Sequence, residues 1–202
     1  MALSKIDIEN MVTGEVNVAN GGTGLSSGTS GQFLKFTGST TLAGASAGIE
    51  VAGQFRLTTG FNGSANPITS NYEEVDTFYS RIGSAITESS GVFTFPSTGV
   101  YMIAAHTSVQ YNGENNYHEL ILQGTSDAFS SDTSTIASKY CASADHGTTS
   151  YYGASCHAIY DVANVSNNKI RLRINSQQGS ATTKGSSTNT QTSLTFIRVG
   201  DT

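Results

Sequence analysis

The stretch "GVFTFPSTGVYMIAAHTSVQ", residues 91–110, decides how the chain must be read. In its second half Tyr101, Ile103, Ala105, Thr107 and Val109 share one face of an extended strand, while Val100, Met102, Ala104 and His106 share the other. Pro96-Ser97-Thr98-Gly99 before it is turn chemistry, and "GVFTFP" (91–96) reads as the strand leading into that turn. Phe93, Phe95 and Tyr101 are the expected core anchors. The opposite face, starting at Val100, is unusually apolar and needs covering by another surface.

The same reading extends along the chain. Strands are expected at 117–124, 135–143, 151–162, 169–175 and 193–200, separated by Gly, Asn and Ser. In "KIRLRIN", Ile170, Leu172 and Ile174 alternate with Lys169, Arg171 and Arg173, so one face is wet. Strands at this spacing predict an all-β, antiparallel sandwich or jelly roll, and nothing resembles a βαβ unit. Composition agrees. Charged residues are 12% of the chain, about half the usual share, and Gly, Ser, Thr and Asn fill the difference.

A net charge of -5 with ten scattered Lys and Arg argues against nucleic acid as a partner. No apolar run reaches the roughly 18 residues a membrane span needs, so no membrane insertion is expected. The start, "MALSKIDIENMV", lacks the continuous apolar centre of a secretory signal, and synthesis in the cytoplasm is expected.

The pattern changes near residue 50, which predicts an arm over 1–50 and a head over 51–202. In the arm, apolar residues come in short groups: Ile6 and Ile8, Val16 and Val18, then Phe33, Leu34 and Phe36. An arm with so few elements cannot bury these side chains by itself. A neighbouring chain supplies the missing surface, or the arm is a solvated tail. The regular placing of the apolar groups favours the first.

The segment "FYSRIGSAITESSGVFTFPSTGVYMIAAHTSV" (78–109) resembles the globular head of complement component 1q, within the tumour necrosis factor superfamily. Gly83, Gly91, Phe93, Thr94, Phe95, Pro96, Gly99 and Tyr101 occupy the family's motif positions, with Ile103 where Phe is usual. "YDVANVSNNKIRLRI" (160–174) is similar to the family's later strand approach, and "SLTFIRVGD" (193–201) to its last strand. The likeness covers about residues 70–201. It implies a ten-stranded jelly roll that assembles as a homotrimer, with Val100, Met102, Ala104 and His106 as the trimer face. A collagen stalk is absent, because Gly does not recur every third residue. Instead "VANGGTGLSSGTSGQFLKF" (18–36), with its turn motif Asn20, Gly21, Gly22, Thr23 and Gly24, resembles bacteriophage tail-fibre and virion-appendage proteins. That implies a virion-anchoring arm built on Ile6, Ile8, Val16, Val18, Phe33 and Phe36.

Catalytic chemistry is not expected, and neither is a cofactor or a metal. If residues 135–143 and 151–162 formed one hairpin, Cys141 would lie opposite Cys156. Two buried free thiols remain the favoured reading over a disulfide, since a reducing cytoplasm opposes oxidation. His146 and His157 with the cysteines match no tetrahedral zinc spacing. His106 and His118 are single strand residues. Glu73, Glu74 and Asp76 form the one acidic cluster, read as a solvated loop in preference to a calcium site, which some relatives possess.

Three functions stand in competition. The first is a homotrimeric phage structural protein located in the virion, decorating the capsid or forming a short head fibre, with capsid or tail proteins as partners. The second is a receptor-binding tail fibre or adhesin for host attachment, recognising a cell-surface glycan or protein. The third is a cellular complement 1q-like binding module.

Overall fold

The computed structural model describes residues 28–30, 32–39, 41–46 and 48–202. The arm residues Ile6, Ile8, Val16 and Val18, and the turn motif from Asn20 to Gly24, lie outside the described residues. Two compact units divide between Gly48 and Ile49. In the first, β1 (Gln32–Phe36) and β2 (Leu42–Ser46) pair antiparallel, with Phe33 opposite Ala45 and Phe36 opposite Leu42. A two-stranded ribbon has no second layer to cover its apolar side chains. Phe33, Leu34 and Phe36 accordingly remain 49%, 48% and 66% exposed.

The second unit is two facing antiparallel sheets. The larger contains β3 (Ala52–Leu57), β4 (Thr59–Asn62), β5 (Tyr72–Glu74), β8 (Gly99–Asn112), β11 (Thr149–Val162), β13 (Thr182–Ser186) and β14 (Ser193–Gly200). The smaller runs in the order β10 (Ser134–Ser143), β9 (Asn115–Thr125), β12 (Lys169–Ser176), β7 (Val92–Thr94), β6 (Thr87–Ser89). Strand β8 organises the large sheet. β11 pairs with its full length on one edge, and β14 and then β13 share the other. No helix occurs among the described residues, so none is long and apolar enough to cross a membrane.

The expected alternation in residues 100–109 is present. Tyr101, Ile103, Ala105, Thr107 and Val109 are fully buried, and the residues between them are half-buried. From the facing sheet, Ile170, Leu172 and Ile174 of β12 close the core, together with Leu120 and Leu122 of β9. Aromatic rings fill its centre. Phe93 lies 5.2 Å from Phe55, 5.4 Å from Phe196 and 5.1 Å from Tyr72 by ring centroid, and Phe95 lies 4.6 Å from Tyr101. Separations of this size, mostly edge-on or tilted, suit the ring quadrupoles.

The turn from β6 into β7 shows why one motif glycine is needed. Ser90 and Gly91 both have positive φ, 51° and 80°, between the paired residues Ser89 and Val92. That is the two-residue geometry whose twist matches a hairpin. A side chain at position 91 would collide with the Ile68 carbonyl oxygen. At the next turn the Tyr101 hydroxyl donates to the Ser97 carbonyl oxygen at 3.0 Å, tying the Pro96–Gly99 turn to the core.

Two outcomes follow for stability. Replacing Tyr101 by Ala removes a buried ring and lowers unfolding free energy by about 3–5 kcal/mol, while Tyr101→Phe loses only the hydrogen bond, about 1 kcal/mol. Urea unfolding of the two variants measures the difference. His118 of β9 is fully buried, with Nε2 3.2 Å from the Thr183 hydroxyl and Nδ1 unpartnered. Burial pulls its pKa from 6.5 down to about 4. The unfolded chain therefore takes up this proton before the folded protein does. The stability that the neutral imidazole contributes is complete above pH 6.5 and is lost between 6.5 and 4, by about 3 kcal/mol at the lower end. His118→Leu removes up to one proton's worth of that slope, measured by urea midpoints across the window.

Candidate functional site

The side of β8 that faces away from the core carries Val100, Met102, Ala104 and His106, all half-buried. Pairing extends this face over three strands. Met102 lies between Ile159 of β11 and Ile197 of β14, and Ala104 lies between His157 and Thr195. At about 4.8 Å between strands, Ile159, Met102 and Ile197 make an apolar row roughly 10 Å wide. Ile159 is 66% exposed, and Val199, one turn of the pleat farther along β14, is 55% exposed. His106 continues the face in polar form, its Nδ1 2.8 Å from the Ser155 hydroxyl. Gln54 of β3 extends it again by donating from Nε2 to Thr195 Oγ1 at 2.8 Å.

At the β3–β5 edge the face changes to charge. Arg56 is 1% exposed, and its guanidinium donates to Glu73 and to Asp76, each at 2.6 Å. Arg81 donates to Glu74 at 2.7 Å, and Tyr79 bonds both Glu74 and the Gln54 amide. The acidic cluster Glu73, Glu74 and Asp76 is therefore not a freely solvated loop. It is an ion-pair network around a buried arginine. Asp76 is held below the usual carboxylate range, first by the Thr77 hydroxyl and then by Arg56. With its two flanks pinned in this way, Phe78 stands fully exposed at a φ of 51°. Arg56 lies 17 and 20 residues from its partners, too far for a local sequence pattern to signal the network.

The cysteines do not face each other across a hairpin. Cys141 lies in β10 of the small sheet and Cys156 in β11 of the large sheet, because the chain crosses from one sheet to the other between them. Both are free, Cys156 buried and Cys141 half-buried, and burial pushes both thiols up to about 11. Cys141 Sγ donates to the His118 carbonyl at 3.4 Å. Thiols so far from ionisation are poor nucleophiles. His146 is exposed in the β10–β11 connection and His157 is exposed on the open face. No group of three or more His, Cys, Asp or Glu side chains arranged to hold a metal ion occurs among the described residues.

No protein-family model matches the chain, and no curated protein sequence does. Solved structures do. Murine APRIL at pH 5.0 superposes with a TM-score of 0.54 at 9% identity, over 74% of this chain and 98% of that one. Eiger TNF from S. frugiperda gives a TM-score of 0.54 at 12% identity, over 77% and 96%. Identities this low speak to fold alone. The head, an antiparallel two-sheet β structure, has the TNF-like jelly-roll fold.

Proposed function

We propose that this protein is a non-enzymatic, homotrimeric binding module carried on a bacteriophage particle, with residues 1–50 as the virion-anchoring arm and 51–202 as the outward head. The observation that carries self-association is the apolar row of Ile159, Met102 and Ile197 on an otherwise well-formed sheet. Three copies arranged head to tail close a ring in which each open face meets a neighbour. At about 25 cal/mol per Å² of apolar surface, three equal interfaces of modest size hold firmly. The resemblance to complement and tumour necrosis factor heads supports the same assembly.

The particle assignment rests on the arm. Its Asn20–Gly24 segment resembles tail-fibre and appendage proteins, and exposed Phe33 and Phe36 in β1 suit a strand pair that docks on another protein. Capsid decoration or a short head fibre fits the short arm better than a receptor-searching tail fibre does. The tail fibre is the second reading, and attachment to host surfaces is compatible with both.

Two experiments test this. Unfolding of a trimer is concentration-dependent, so the melting temperature of the native chain rises with protein concentration. Met102→Asp combined with Ile159→Asp removes that dependence while leaving the β-rich circular dichroism of the subunit unchanged. For the arm, deletion of residues 1–45 abolishes co-sedimentation with particles lacking the native protein. Restoring the arm with Ile6, Ile8, Val16 and Val18 changed to Ser leaves incorporation poor. Full-occupancy binding by the armless head places the attachment surface on the jelly roll and overturns the assignment.

A further inference from the structure

The outer side of the small sheet, facing away from the core, carries a group of side chains that the proposed assembly does not use. Pairing sets Arg173 of β12 beside Ile121 of β9 and Ser138 of β10, and in the next outward row Asn175 beside Glu119 and Tyr140. Strand spacing and rise make these two rows a patch about 10 Å by 7 Å, the size of one or two sugar rings. Tyr117 flanks it, packed edge-on against Tyr140 with centroids 6.4 Å apart. Tyr140 is 59% exposed.

The polar groups in this patch are poised but incompletely satisfied. Asn175 Nδ2 reaches the Glu119 carboxylate at 3.5 Å, and that carboxylate also accepts from the Tyr140 hydroxyl and raises its pKa. Arg56, Arg81 and Arg198 each pair with carboxylates. Arg171 donates to Gln123 at 2.9 Å, with its guanidinium 4.1 Å from the centre of the Phe129 ring. Arg173 is different. Its Nε is buried without a hydrogen-bond partner, and no ion pair reaches it among the described residues. A buried, unpartnered donor of this kind calls for an acceptor.

We propose that this patch is a binding site for a carboxylated saccharide, such as a sialic or uronic acid residue. The guanidinium fork matches a carboxylate in shape and charge. Glu119 and Asn175 accept from and donate to sugar hydroxyls, and the tyrosine rings offer an apolar surface with a polar tip to the C–H side of the ring. Strand addition by a peptide would use the outer edge of β10, because β9 and β12 are each paired on both edges; the Arg173, Glu119 and Asn175 side chains lie over those paired strands and suit a ligand held by side chains. A polysulfated chain is disfavoured because the patch sets one arginine beside the Glu119 carboxylate, which suits a single anionic group and not a row of them. The inference draws on the reading of the head as a surface-binding module but requires neither the trimer nor the arm.

The test is NMR titration of the ¹⁵N-labelled full-length protein at pH 7 with N-acetylneuraminic acid, glucuronic acid, glucose and a short glutamate peptide. The expected result is saturable shifting of the Arg173 side-chain Nε–H and of the Tyr140 amide by an acidic sugar, with glucose bound at least roughly tenfold more weakly. Arg173→Gln and, independently, Tyr140→Ala each weaken binding by roughly tenfold or more, while His157→Ala on the opposite sheet leaves it unchanged. Tyr140 is exposed enough that its replacement keeps the fold. Absence of any shift with both acidic sugars, equal binding of glucose, binding of the peptide alone, or indifference to both substitutions overturns the proposal. A trimeric, particle-bound protein that ignores sugars sinks this inference alone, and a monomer that binds them sinks only the assembly reading.

Discussion

One strand constrains the rest of the head. β8 runs from Gly99 to Asn112 with a strict two-residue alternation, and each of its faces has a different obligation. The face of Tyr101, Ile103 and Ala105 is sealed by the aromatic cluster and by β12 and β9. The face of Val100, Met102 and Ala104 stays open because β11 and β14 lie beside it and not above it. A one-residue slip in this strand would exchange the two faces, so core packing and the open apolar row are fixed by the same register. The tyrosine hydroxyl on the Ser97 carbonyl and the two positive-φ residues before β7 hold that register at its start.

The two outward surfaces of the sandwich are chemically unlike. The large sheet presents a neutral, largely aliphatic row suited to another copy of the same surface chemistry. The small sheet presents arginine, glutamate, asparagine and tyrosine in register. Strong aliphatic packing tends to make permanent contacts, and sparse polar groups with aromatic rings tend to make selective, reversible ones. A trimer built through the large sheet would leave three copies of the polar-aromatic patch facing solvent, where weak single-site affinities multiply.

The long strands were legible in the sequence because alternation survives over many residues. β8, β11, β12 and β14 begin and end within two residues of expectation. The three-residue strands β5 and β6, and the glycine-interrupted β13, carry too few residues for a period to register. The open face was readable for the same reason as β8. What the sequence could not disclose is pairing between distant segments. Arg56 and its carboxylates, the separation of Cys141 from Cys156 into different sheets, and the placing of Arg173 and Tyr140 on one outer face all depend on strand order, which hydrophobic pattern does not encode. A hairpin of residues 135–143 with 151–162 would need those neighbouring strands to pair, and here the chain changes sheets between them instead.

The central claim is that the open face of the large sheet is covered by other copies of this chain. Sedimentation equilibrium of the full-length protein at micromolar concentration, with no particle present, tests it directly. The account predicts a single species at three times the 21.1 kDa chain mass. A species at 21.1 kDa that persists with rising concentration would contradict it.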